Sequence, residues 1–180
     1  MAQHGKLDIL YSNAGTMGKP ITSILETNHD VIKRVFDVNI FGAFYCAKHA
    51  ARVMIPAKAG SVLFKASITT GTSFGNVPHP YPTSKNAVMG LSKNLGMELG
   101  ESTPLALNAF GLVNMKQADE VFTEARNLKG VVAEKDDAAN SALHLVSDEV
   151  KYVGGVNLMV DGGYSTTNKA FTEAFRRFSA

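Results

Sequence analysis

Cysteine occurs once in these 180 residues, at Cys46. A lone thiol cannot close a disulfide within the chain, which excludes a disulfide-stapled scaffold and fits a reducing, cytoplasmic compartment. Cys46 itself is expected to pack within a helix. Charge of one sign is equally scarce: 18 Lys and Arg against 16 Asp and Glu leave a net charge of +2. That is too little to argue for nucleic acid or an anionic membrane as partner. No run approaches ~18 apolar residues, so no membrane-spanning helix is expected, and the opening Met1-Ala2-Gln3-His4-Gly5-Lys6 has no apolar secretory centre. Asn-x-Ser/Thr triplets are missing, in line with a non-secreted protein. No pair of histidines has metal-ligand spacing, and no metal is expected. Missing too is a glycine-rich turn of G-x-G-x-x-G type after a strand, the arrangement that lets backbone amides hold a pyrophosphate.

What is present reads as an α/β chain. A hydrophobic content of 45% with 19% charge suits one globular domain over 1–180 with a polar tail from Ser165, long enough to bury a core. Leu7–Tyr11 is a short apolar run of the kind found in parallel strands buried on both faces. Gly15, Gly18 and Pro20 then mark a loop. Helices are expected over 28–36, with Asn28 as cap, and over 39–55, ended by Pro56. The second is apolar nearly all round, so both its sides are expected to be covered. Strand 61–66, helix 81–100, strand 105–110, a charged flap helix over 117–128, helix 136–146 starting at Asp136 or Asp137, and strand 156–160 before Asp161-Gly162-Gly163 complete the pattern. Strands alternating with helices specify a parallel sheet.

The stretch carrying chemistry is His79-Pro80-Tyr81-Pro82-Thr83-Ser84-Lys85. Tyr81 and Lys85, four apart, share one helix face. A free phenol titrates near pH ~10, and serving as a base at neutral pH requires a shift of roughly 3 units. One cation ~4 Å away at an effective dielectric of ~20 supplies about that. Lys85 is therefore expected to make Tyr81 acidic. A Tyr-x-x-x-Lys pair alone is weak, and a serine after a strand or an asparagine in a helix is ordinarily a turn or cap residue. His79, beside Tyr81, reads as a loop residue.

Taken in order, Ser12-Asn13-Ala14-Gly15, Asn39, Ser67 after strand 61–66, Tyr81-x-x-x-Lys85 and Asp161-Gly162-Gly163 resemble the short-chain dehydrogenase/reductase family over residues 5 to about 167. The likeness is to the plant branch acting on terpenoid and lignan alcohols. It implies a Rossmann-like parallel sheet with flanking helices, of which this chain carries the carboxy-terminal portion with about four strands. It implies NAD or NADP as cofactor and a secondary alcohol or ketone of an apolar metabolite as substrate. Asn39, Ser67, Tyr81 and Lys85 would be catalytic, Tyr81 as acid/base, Ser67 orienting the same oxygen, Lys85 binding the nicotinamide ribose, and the Asn39 carbonyl holding a relay water. Asn13, Ala14, Gly15, Tyr81, Lys85, Gly111 and Val113 would touch the cofactor. Helices 39–55 and 81–100 would join copies into a dimer or tetramer. Family members usually read Asn-x-x-x-Pro-Gly after the strand at 105–110, whereas Asn108-Ala109-Phe110-Gly111-Leu112-Val113-Asn114 lacks the proline. A strand edge at 7–11 is expected to lie open. A silent, associating remnant and a cyclase or isomerase using Tyr81 without net hydride transfer stay open as alternatives.

Overall fold

The computed structural model describes residues 4–73, 75–102, 106–111, 128, 131, 133–150, 153–166 and 176–177. Four parallel strands form one sheet in the order β1-β2-β3-β4. They are β1 (Ile9–Ser12), β2 (Ser61–Lys65), β3 (Ala106–Gly111) and β4 (Asn157–Met159). Register runs from Ile9 opposite Ser61 to Ser12 opposite Phe64, from Ser61 opposite Ala106 to Lys65 opposite Phe110, and ends with Gly111 opposite Met159.

Alternation along β2 feeds two apolar layers. Val62, Phe64 and Ala66 pack with Ala43, Ala47, Ala50 and Met54 of α2 (Gly42–Ala57) and with Val88 and Leu99 of α3 (Pro80–Ser102). Leu63 meets Ala138, Ala142 and Leu145 of α4 (Lys135–Leu145) on the opposite face. The small residues of α2 recur at helical spacing and let it sit close to the sheet. Burial of α2 is one-sided, however. Phe41, Phe44 and Tyr45 stand about half exposed, and Cys46 is exposed rather than packed, because an isolated chain offers this face nothing to bury against. Ile9 and Tyr11 are likewise exposed. β1 is not buried on both faces: Leu10 packs toward the α2 and α3 layer, whereas Ile9 and Tyr11, on the other face, stand exposed.

The helical region differs from expectation in a second way. α1 (His29–Phe36) is capped as predicted, the Val31 amide donating to the Asn28 side chain at 3.0 Å. It then runs without a break through a π-helical turn, Asp37–Phe41, into α2. In that turn the Gly42 amide reaches the Asp37 carbonyl, five residues back. Such a bulge inserts one residue and re-aims the side chains within it. Pro56 does not end α2 but sits in its last turn, and Lys58, left-handed at φ 52°, makes the cap. α3 starts at Pro80, where a missing N–H costs nothing. Asp136 and Asp137 stand in the first turn of α4, as expected, with Glu134 as the cap, and the Glu134 amide donates to the Asp137 carboxylate at 2.7 Å. The flap helix expected over 117–128 falls outside the described residues, apart from Leu128. The Asp161-Gly162-Gly163 turn is held by the Asp161 carboxylate, which accepts from the Gly163 and Ser165 amides at 2.9 and 2.8 Å, while both glycines take positive φ that side chains disfavour.

Candidate active site

Parallel sheets place ligands at the carboxyl ends of their strands. Here those ends bring together the loop after β1 (Asn13, Ala14, Gly15), the residues after β2 (Ala66, Ser67) and the end of β3 at Gly111, one position beyond the Lys65–Phe110 rung. Helix α3 delivers Tyr81 and Lys85 from above, and the π turn delivers Asn39.

Lys85 is almost fully buried at 4% exposure. Its ammonium donates to the Lys65 carbonyl at 2.8 Å and lies 5.8 Å from the centre of the Tyr81 ring. Gly15 makes room for it: a Cβ at that position would stand 3.1 Å from Lys85 Nζ and 3.5 Å from Asn39 Oδ1. Tyr81 is half-buried, and its phenol interacts with the Ser67 hydroxyl. Ser67, buried, also accepts from the Thr69 amide at 3.3 Å through its own oxygen, which fixes it at the start of the loop.

Asn39 is a buried clasp. Its Oδ1 accepts from the Thr16 amide at 2.8 Å, and its Nδ2 donates to the Thr16 carbonyl at 2.9 Å and to Ser84 Oγ at 2.8 Å. Ser84 in turn donates to the Tyr81 carbonyl at 2.7 Å. One amide thus joins the loop after β1, the π turn and the first turn of α3. Thr16, Ser84 and Lys65 escaped the sequence reading, because hydroxyls and a strand-end lysine look like ordinary loop and edge residues until topology sets them beside Asn39 and Lys85.

The electrostatics overturn one expectation. Burial raises the Tyr81 pKa above its ordinary 10, and the hydrogen bond with Ser67 offsets this only in part. Lys85 does not make the phenol acidic here, since it is itself held down to about 8, first by burial and then by the charge of Lys65. Asn13 is exposed, its Oδ1 accepting from the Tyr11 hydroxyl at 3.2 Å. Ala14 and Gly15 are exposed as well, and His79 is an exposed loop residue. Val113 lies outside the described residues. Among those described, no cluster of side chains could hold a metal ion.

A family model described as enoyl-(acyl carrier protein) reductase matches residues 1–165. The chain belongs to the short-chain dehydrogenase/reductase family. It is 45% identical to the short chain aldehyde dehydrogenase 1 of Euphorbia lathyris over 98% of its own length and 68% of the relative's. Identity to the secoisolariciresinol dehydrogenase of Forsythia intermedia is 42%, over 93% of this chain and 65% of that one. A solved 7α-hydroxysteroid dehydrogenase in complex with NADH and 7-oxo glycochenodeoxycholic acid superimposes with a TM-score of 0.78 at 26% identity, over 90% of this chain and 65% of that one. The chain therefore spans about two thirds of the length of these relatives. The expected fold, a Rossmann-like α/β arrangement with four parallel strands, is the one observed, and plant relatives of the expected kind are among the matches. No helix of the described residues is long and apolar enough to cross a membrane.

Proposed function

We propose that this chain is an NAD(P)-dependent oxidoreductase acting on a secondary alcohol or ketone of an apolar metabolite, with Tyr81, Ser67, Lys85 and Asn39 as its reaction centre. The observation that carries the reading is the convergence of the Tyr81 phenol, the Ser67 hydroxyl and the Lys85 ammonium at the carboxyl ends of β1 and β2. In this reading the Tyr81 oxygen gives its proton to the ketone oxygen in reduction, or takes it from the alcohol in oxidation. A phenol kept protonated by burial is suited to the first direction. The Ser67 hydroxyl holds the same oxygen in line. Asn39 fastens the frame, and its carbonyl is the expected seat of a relay water.

The residues present fit the nicotinamide-ribose half of a dinucleotide. Lys85 has spent one N–H on Lys65 and has two others for hydroxyl oxygens, and the exposed, small Ala14 and Gly15 admit close approach beside it. Asn13 and Gly111 flank the same strand ends, and Val113 completes the set expected from the family pattern. The bound cofactor would supply the hydride acceptor or donor. Relatives that the chain resembles support the class: one is a secoisolariciresinol dehydrogenase, and the superimposed hydroxysteroid dehydrogenase holds NADH. The exposed Phe41 at the end of the π turn, Phe44 and Tyr45 on α2 and Met97 on α3 support assembly into a homo-oligomer through those helices. A reducing, cytoplasmic setting goes with the lone thiol of Cys46.

Titration of the purified chain with NADH and NADPH, followed by turnover of an apolar ketone, tests the reading. Saturable binding with turnover is expected, and Tyr81→Phe should lower turnover by about 10²–10⁴-fold while cofactor still binds. No binding at millimolar cofactor would leave a silent, associating subunit, and product formed without cofactor consumption would mean isomerisation.

A further inference from the structure

The turn that carries Ser67 is tied to β4, which is not a neighbour of β2 in the sheet. After Ser67 the chain makes one tight helical turn, Ile68–Thr70, in which the Ser67 carbonyl accepts twice from Thr70, from its amide at 3.1 Å and from its hydroxyl at 2.7 Å. The Thr70 oxygen in turn accepts from Asn157 Nδ2 of β4 at 3.3 Å. Register puts this meeting on the reactive side. Asn157 stands opposite Ala109 and Ala109 opposite Phe64, so Asn157 and, two residues on, Met159 point to the face where Phe64 packs with α3. A second contact backs the first: a Cβ on Gly71 would stand 3.3 Å from Met159 Cε and 3.6 Å from the Cβ of Ser165. Met159 and Ser165, on either side of the Asp161-Gly162-Gly163 turn, thus close on the end of the Ser67 turn. The Thr70 hydroxyl has one proton, committed to the Ser67 carbonyl. Only a donor can then face its oxygen, so Asn157 presents Nδ2 there and leaves Oδ1 buried without a partner among the described residues. An orphaned buried acceptor opposes folding, and the turn that Asn157 holds explains why it is retained.

We propose that Thr70 and Asn157 are positioning residues of the reaction centre, holding the Ser67 peptide so that its hydroxyl faces the Tyr81 phenol. The proposal rests on the oxidoreductase reading of that centre and deepens it. Both side chains act through Ser67, whose carbonyl is fixed by Thr70 and whose hydroxyl is fixed by the Thr69 amide at 3.3 Å. Loss of the tie to β4 frees this turn to rotate, and a misplacement of about 1 Å is enough to spoil the alignment of reacting groups.

The test reads the Tyr81 phenol by NMR and needs no substrate. The whole chain carries tyrosine isotopically labelled at Cζ, and among its five tyrosines the Tyr81 signal is the one lost in Tyr81→Phe. Ser67→Ala should move that signal, because the phenol loses its hydrogen-bond partner. Thr70→Val, which removes the hydroxyl at nearly equal size, should move it in the same direction by about half as much or more, and so should Asn157→Leu. Thr70→Ser, which keeps the hydroxyl, should leave it in place. In a Ser67→Ala background neither Thr70→Val nor Asn157→Leu should move the signal further, a non-additivity that a purely structural pair would not show. Far-UV circular dichroism checks that each variant is folded, and Thr70→Val alone decides if Asn157→Leu is not. A signal unmoved by Thr70→Val, or moved equally with and without Ser67, overturns the proposal. So does a signal that ignores Ser67→Ala. NADH binding by the unaltered chain, followed separately by fluorescence, tests the redox reading on its own and tells the two failures apart.

Discussion

Asn39 Nδ2 donates to Ser84 Oγ at 2.8 Å across 45 positions of sequence. With the two bonds to Thr16, this makes a single buried amide the link between the strand-end loop and the helix bearing Tyr81. Removing it leaves the N–H and carbonyl of the half-buried Thr16 without these partners and takes one of two bonds from the buried Ser84 hydroxyl, which keeps the Tyr81 carbonyl. Each lost partner of a buried polar group costs ~1–3 kcal/mol, less whatever water recovers. Asn39→Ala should therefore destabilise the chain by about 2–4 kcal/mol in urea unfolding. A change below about 0.5 kcal/mol, the ordinary surface value, would mean that the clasp is not closed in solution.

Gly15 answers to the same packing from the other side. The Cβ of an alanine would stand 3.1 Å from Lys85 Nζ, and the neighbour that must give way is the end of a flexible side chain. Gly15→Ala is expected to cost little stability, under about 1 kcal/mol, because rotation of the lysine stem relieves the contact at modest strain. Cofactor binding should suffer more, by about tenfold, since a Lys85 displaced by a few tenths of an ångström loses its aim. Parallel measurements of urea midpoint and NADH affinity check the split. A large stability loss with unchanged affinity would show that Gly15 serves the fold alone.

Much of this was legible in the sequence, and the failures have identifiable causes. The strands at 61–65 and 106–111, the Asn28 cap and the helix bearing Tyr81 were carried by periodicity and by turn residues, which are local signals. The π turn was not, since nothing in Asp37-Val38-Asn39-Ile40-Phe41 announces an i−5 bond until Asn39 finds Thr16. Cys46 was placed inside because its helix is apolar nearly all round, yet periodicity cannot tell a core face from a docking face. The sign of the Tyr81 shift failed for an electrostatic reason. Spacing put the ammonium one turn away but was silent on the burial that raises the phenol and depresses Lys85.

Phe44 and Tyr45 are half exposed on α2, next to Phe41 and across from the buried alanine stripe. Monomeric proteins seldom present several large apolar side chains together unless something covers them. In the assembly proposed above, a charge there would be buried against apolar surface and would oppose association. Phe44→Glu should shift the chain from dimer or larger to monomer in analytical ultracentrifugation while far-UV circular dichroism stays unchanged. An unaltered sedimentation coefficient in an assembled protein would place the contact elsewhere.

The pH dependence of stability isolates Lys85. Its pKa is about 8 in the fold and 10.5 as the ordinary value, so the folded state disfavours the ammonium. Below pH 8 both folded and unfolded chains carry this proton, and the full penalty of a buried charge is present. Between 8 and 10.5 the unfolded chain binds more protons than the folded one, and stability rises with pH. The rise from this group is at most ~3 kcal/mol, complete above the unfolded value. Exposed lysines and tyrosines titrate in the same window, so the informative quantity is the difference from Lys85→Met, which lacks the ionisable group. That variant should be the more stable of the two at pH 7, by less than ~3 kcal/mol because the bond to the Lys65 carbonyl is lost as well. The gap should close steadily in urea midpoints taken at pH 7, 8, 9 and 10. A gap that does not change with pH would mean that the ammonium is solvated rather than confined.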